Sequence, residues 1–377
     1  DLINTTGVLG SAGTLALASQ SLTNSQGSVS SGADLRLTST GALTNESGVI
    51  ESAQALVLTA NSVVNKAGTL SSLGTGDSAI TVTGLLDNTS GRLQSNGTTT
   101  TVSANHLNNA SGTVVHGGSK QLTLIAATLD NQSGTVSSAA TLAANAAQTD
   151  NAEGKLLADV MTVNGTNMTN VGGVVEAREL TLTLSGDLTN QRSAESTGGL
   201  ISALQASDAA STGKTAKLQL TVTGDLTNSN GKIQTHAADA TMSLGRLLNL
   251  GGTVLHAGGG VLRLDAQSFD NQNQGYLNTA GQWLATLGVL DNRTGTLSSV
   301  GDMSLTVAAS GSATLDGSIN NQGGVLEAGQ AMTLKAAGLD NRSGTITAVG
   351  SGNSSLSIAG GVLDNRALNA KQGLIQS

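Results

Sequence analysis

The stretch Leu129-Asp130-Asn131-Gln132-Ser133-Gly134-Thr135-Val136-Ser137-Ser138 contains the unit from which the chain is built. An apolar residue lies two before an asparagine, a glycine three after it, and an apolar residue five after it. The sixth position is free and the seventh is small. The same frame reads Leu22-Thr23-Asn24-Ser25-Gln26-Gly27, Leu43-Thr44-Asn45-Glu46-Ser47-Gly48 and Leu86-Asp87-Asn88-Thr89-Ser90-Gly91. It recurs at 17 asparagines: Asn4, Asn24, Asn45, Asn65, Asn88, Asn109, Asn131, Asn151, Asn170, Asn190, Asn228, Asn249, Asn271, Asn292, Asn321, Asn341 and Asn365. In 14 of them the glycine follows at the third position, and there the fifth position is always aliphatic, from Leu9 and Val29 to Leu326 and Ile346. The seventh is Ser, Ala or Thr in 12 of those 14.

Alternation of inward apolar and outward variable positions is the signature of a strand. A second alternating pair follows in each repeat, as in Leu35/Leu37, Leu56/Leu58 and Met332/Leu334, and the apolar residue two before the asparagine marks a third strand. Self-similarity at a period of roughly 20 residues identifies a solenoid. The expected fold is all-β: a right-handed parallel β-helix of about 17 turns with three short strands per turn, running as one continuous solenoid over 1–377. Turns stacked about 4.8 Å apart would make a rod on the order of 75–80 Å long. The asparagines Asn24, Asn45, Asn65, Asn88, Asn109, Asn131, Asn151, Asn170, Asn228, Asn249, Asn292, Asn321 and Asn341 are expected to form an amide ladder from turn to turn. Gly27, Gly48, Gly68, Gly91, Gly112, Gly134, Gly295 and Gly344 are expected to supply a corner of positive φ.

Composition agrees with this reading. The 377 residues include 50 glycines, no proline, no cysteine, and one each of Trp, Tyr and Phe. A proline would delete a ladder hydrogen bond in an interior turn. A narrow tube filled by Leu, Val and Ala has little room for aromatic rings. Charged residues make up 11% and hydrophobic ones 38%, the reverse of a disordered chain. The net charge of −8 is thinly spread, and without a Lys/Arg run there is no footprint for nucleic acid. No apolar stretch reaches the length of a membrane span. A chain without cysteine suits export in an unfolded state, which a crosslink would block.

The spacing departs from the period in three places. Asn190 to Asn228 spans 38 residues and reads either as one turn carrying insertions near 191–197 and 205–215, or as two turns of which one lacks the asparagine. Asn292 to Asn321 spans 29, with extra residues near 308–317, and Asn365 is followed by a long corner to Gly373. His116 and His256 break the small-residue rule at the seventh position in matching contexts, 140 residues apart, and are read as filling a wide corner through backbone hydrogen bonds. Phe269, Tyr276 and Trp283 fall within one turn and are read as a wider core layer. Glu176, Arg178 and Glu179, and Arg263 with Asp265, are read as outward charges on a solvated strand face. No phosphate loop, paired-cysteine motif or His-Glu-x-x-His is present, so neither a catalytic or metal site nor a cofactor or small-molecule substrate is expected.

The run Leu-Asp-Asn-x-Ser-Gly-Thr, clearest at Leu129–Val136 and Leu290–Leu297, resembles the haemagglutinin repeats of filamentous haemagglutinin and of contact-dependent growth inhibition effectors. These are large exoproteins of Gram-negative two-partner secretion. The resemblance covers essentially the whole chain. It implies an extracellular, cell-surface shaft, exported through an outer-membrane transporter, that projects adhesive or toxic modules. The alternatives it leaves are an adhesive module that itself binds a target-cell receptor or glycan, and, as a minor one, a β-helical enzyme acting on polysaccharide. The family's N-terminal secretion domain and a C-terminal toxin are not in this sequence. Its first and last turns follow the interior pattern without a polar cap, as expected of a segment of a longer shaft.

Overall fold

The computed structural model describes residues 1–194, 198–204, 215–308, 315–368 and 371–377. All regular structure among them is β, arranged as parallel stacked coils that form a β-solenoid of about 16 turns. The chain divides into two compact units, Asp1–Ala177 and Arg178–Ser377.

In the first unit each turn places equivalent residues in register above one another. Val29 pairs with Ile50, Ile50 with Leu70, Leu70 with Leu93, Leu93 with Val114, and so on to Leu156. A second column runs Leu37, Leu58, Ile80, Val102, Leu124, Ala144 and Val163, and a third Leu22, Leu43, Val63, Leu86, Leu107 and Leu129. These side chains are almost wholly buried. Each aliphatic removed from water contributes about 1.5–3 kcal/mol, set against the entropy of ordering its turn. Three distinct strands per turn hold near the start, as in Val49–Ser52, Leu56–Ala60 and Ser62–Val64. Further on, corners without glycine let pairing run through the bend. Second and third strands merge in Thr99–Asn108 and Gln121–Asp130, and all three in Thr135–Asp150.

The second unit repeats this plan. Its first-strand column is Ile201, Ile233, Val254, Leu277, Leu297, Leu326, Ile346 and Ile375. Leu188 pairs with Leu226 and Ile201 with Ile233, and Asn190 bonds Asn228 directly, so the long interval is one turn. Of the three expected insertions, residues 195–197, 205–214 and 309–314 lie outside the described residues. Phe269 stacks between Leu247 and Leu290, and Trp283 between Leu262 and Met303, both fully buried. On the same strand the small Ala285 follows two positions after Trp283. Tyr276, in contrast, is on an outward position and 37% exposed.

Candidate functional site

The feature repeated in every turn is the asparagine corner. Asn24 donates from Nδ2 to Oδ1 of Asn45 at 2.7 Å, to its own turn's Gly27 carbonyl at 3.2 Å, and to the Val49 carbonyl of the next turn at 3.1 Å. The step from Nδ2 to Oδ1 repeats from Asn4 through Asn45, Asn65, Asn88, Asn109, Asn131 and Asn151 to Asn170 in the first unit. It repeats in the second from Asn190 through Asn228, Asn249, Asn271, Asn292, Asn321 and Asn341 to Asn365. From Asn24 to Asn341 these side chains have no exposed surface. A buried primary amide costs free energy unless its donors and acceptor are met, and here the turns on both sides meet them, the preceding one through Oδ1 and the next through Nδ2.

The glycines do something other than the sequence reading assigned to them. Gly27, Gly48, Gly68, Gly91, Gly112, Gly134, Gly295 and Gly344 do not adopt positive φ. The left-handed residue is one position earlier: Gln26, Ser47, Ala67, Ser90, Ser111, Ser133, Thr294 and Ser343, with φ between 50° and 60°. It is the third residue of a β-turn closed by the glycine N–H donating to the asparagine carbonyl, as in Gly134 to Asn131 at 3.0 Å. Its own N–H is anchored on the next turn, Ser133 to the Ala152 carbonyl at 2.9 Å, which holds the unfavourable φ in place. Glycine is required after it for close approach. A Cβ on Gly134 would collide with the Asn109 carbonyl of the preceding turn and stand 2.7 Å from Oδ1 of Asn131.

A further element of the corner went unread in the sequence, the acidic residue before the asparagine. Oδ1 of Asp87, Asp130, Asp150, Asp270, Asp291, Asp340 and Asp364 accepts the N–H two residues on, an Asx-turn that starts the corner. In the second unit Arg293, Arg342 and Arg366 also reach back to Asp291, Asp340 and Asp364, with Nη2 2.7–2.8 Å from Oδ2. The Arg366 hydrogen bond holds the half-buried Asp364 carboxyl down to about 2, and Arg342 lowers Asp340 likewise. The recurring Leu-Asp-Asn was the available signal.

The other flagged residues separate. Arg178 is a correction: it is buried, not outward. It lies at a bend, where alternation breaks, and Nη1 donates to the Thr215 carbonyl at 2.8 Å and to Glu179. Arg263 is exposed and Asp265 half-buried. Both histidines are enclosed in the wall. Nε2 of His116 lies 2.9 Å from the Gly97 carbonyl and Nδ1 lies 3.0 Å from Oγ of Ser138. Nε2 of His256 lies 3.0 Å from each of the Ala237 and Ala238 carbonyls, and Nδ1 lies 2.7 Å from Oγ1 of Thr279. Burial pushes both imidazoles below the usual histidine range, against the opposing pull of those carbonyls. Among the described residues no group of three or more acidic or histidine side chains could hold a metal, and two buried side-chain polar atoms, Nε2 of His106 and Nε1 of Trp283, have no hydrogen-bond partner.

On the outer face of the second unit a groove of about 480 Å³ crosses successive turns. Val222, Leu244, Ala266 and Leu287 line it at one position per turn; Val222 and Leu287 are fully buried and Ala266 is half-buried. Thr221, Ser243, Asp265 and Thr286 line one side, and Thr223 and Gln267 the other.

Parallel coils, an internal amide ladder and a repeated corner define a structural β-solenoid. The family model described as haemagglutinin repeat matches eight overlapping or adjoining segments, 1–47, 44–90, 74–128, 119–192, 158–230, 234–269, 259–317 and 308–367. The chain therefore belongs to the haemagglutinin-repeat family and has the repeats of a filamentous adhesin-type shaft. No similarity was found to a curated protein or to a solved structure.

Proposed function

We propose that the chain is a non-enzymatic shaft segment of a secreted surface exoprotein of a Gram-negative bacterium. In this reading it is exported through an outer-membrane two-partner transporter and holds adhesive or growth-inhibiting modules away from the cell. The observation that carries the proposal is the repetition of one corner in most turns: the amide, the left-handed residue and the close-approach glycine serve turn stacking and leave few groups for chemistry. A solenoid whose stability is a sum of neighbouring turns can be lengthened turn by turn. The test is to remove whole turns, each cut at the same phase of the asparagine, from the surface-displayed parent protein. Contact with target cells should weaken with each turn removed while antibody-measured display stays constant, and the soluble chain alone should neither bind target cells nor compete. Saturable binding by the soluble chain would overturn the shaft reading.

The groove in the second unit favours a second reading, adhesion by the chain itself. Its hydroxyl, amide and carboxylate side chains suit an uncharged glycan laid along the turns, and Asp265 disfavours sulfated or sialylated ones. Glycan-array binding that is lost in Ala266→Trp, which fills the groove, would support this reading, and no binding would dismiss it.

A further inference from the structure

His116 and His256 occupy the same phase of the repeat, and each ring spans three turns. In both, Nε2 faces only backbone carbonyl oxygen, so Nε2 must carry a proton whatever the charge of the ring. The difference lies at Nδ1, in the hydroxyl offered by the next turn. Ser138 donates its single hydroxyl proton to the Thr141 carbonyl at 2.9 Å. Towards His116 it can then only accept, and a hydrogen bond across the 3.0 Å separation needs a second proton on the ring. A neutral His116 therefore competes with Thr141 for one proton. Thr279 is placed the other way. Its Oγ1 accepts from the Gly281 N–H at 3.1 Å, which leaves its own proton free for Nδ1 of His256 at 2.7 Å. A neutral His256 satisfies every group, while a protonated one would strand the Thr279 hydroxyl proton.

We propose that the two histidines are opposite proton devices: His116 is built to take a second ring proton without losing a contact, and His256 to refuse one, so that acid loosens the His256 corner and leaves the His116 corner closed. Charged neighbours do not reverse this order. The described surroundings of His116 bring no charged side chain to bear on it. Asp239 favours a charged His256, but it is exposed, and its Oδ1 is engaged by the Val261 N–H at 2.7 Å. Solvent and salt screen such a carboxylate more than they screen the buried ring. Burial lowers both sites, and the hydroxyl decides which is lower.

The test is to follow both histidine ring signals by NMR in the full chain while lowering the pH, for the natural sequence and for Ser138→Ala and Thr279→Ala. His116 should titrate at the higher pH. Ser138→Ala removes an acceptor of the charged ring and should lower the His116 midpoint by on the order of one pH unit. Thr279→Ala removes a donor to the neutral ring and should raise that of His256 by a similar amount. Hydrogen exchange on the natural chain supplies a readout independent of the variants: amide protection around Ala257–Gly260 should fall in acid before that around Gly117–Lys120. Shifts of the same sign in the two variants, a His256 midpoint at or above that of His116, or equal loss of protection at both corners would overturn the proposal.

Discussion

Replacing Gly295 by alanine separates the two explanations for the corner glycine. If glycine served a positive φ, alanine would cost about 1–2 kcal/mol, the penalty of left-handed backbone for an L-residue. In the structure Gly295 is the close-approach position. A new Cβ would run into the Asn271 carbonyl, and would stand 2.6 Å from Oδ1 of Asn292 and 2.7 Å from Nδ2 of Asn271. Two of those atoms belong to the buried ladder, and the third is backbone that cannot move without shifting a turn. Overpacking costs about 1–3 kcal/mol, and disturbing a buried amide pair adds about 1–3 kcal/mol. The expected loss is about 2–6 kcal/mol, centred on the turns of Asn271 and Asn292. The companion change acts in the opposite direction. Thr294, at φ 60°, is the left-handed residue, and Thr294→Gly relieves about 1–2 kcal/mol of backbone penalty against about 0.5–1 kcal/mol of glycine entropy, for a net gain of about 0–1.5 kcal/mol. Gly259→Ala, where an added Cβ meets nothing within 4 Å, is the neutral control. The assay is hydrogen exchange at the Asn271 and Asn292 amides, each bonded to the next turn at 2.7 Å, because a solenoid need not unfold as one unit. A small loss in Gly295→Ala together with a larger loss in Thr294→Gly would refute the close-approach assignment.

Asn131→Leu leaves the Asn109 amide and Oδ1 of Asn151 without their partner and should cost about 1–3 kcal/mol by local exchange, well beyond a surface Ser→Ala control. Trp283→Phe removes a buried Nε1–H that has no acceptor, so the relief should offset the lost volume and the net change should stay within about 1 kcal/mol, where an ordinary buried Trp→Ala costs about 3–5 kcal/mol; thermal unfolding checks this. Asp364 should titrate at about 2 by carboxyl NMR. Because its carboxyl is lowered in the folded chain, its contribution is present above the unfolded value of about 3.9 and is lost as the pH falls towards the folded one. Arg366→Gln should move the midpoint up towards the ordinary value, and an unchanged midpoint would show that the arginine is not its cause.

The repeat was legible because asparagine and the aliphatic positions carry one requirement each, and every turn states it again. Register followed at once: Leu70 and Leu93 must pair if Asn65 and Asn88 do. The glycine was misread because a sequence shows that glycine is needed and not whether φ or space demands it. The left-handed position is occupied by Gln26, Ala67 or Glu153, whose types give no hint of it, since the anchored N–H and not the side chain fixes the φ. Arg178 was misplaced because strict alternation was carried through a bend where two consecutive residues change faces. The groove could not be read at all. It depends on how side chains of four stacked turns come together around Ala266, which no single repeat encodes.

The central claim is that residues a full repeat apart lie one turn apart in register, and spin-label distances test it most directly. The chain has no cysteine of its own, so paired labels report only the chosen sites. Ser28, Val49, Thr69, Arg92, Thr113, Thr135 and Lys155 form one outward column of the first unit. Labels at Ser28 and Thr113 are four turns apart and those at Ser28 and Lys155 six, which predicts backbone separations of about 19 Å and about 29 Å, each a narrow distribution. Separations that fail to grow in proportion to the number of turns, or broad distributions for both pairs, would contradict the stacked solenoid.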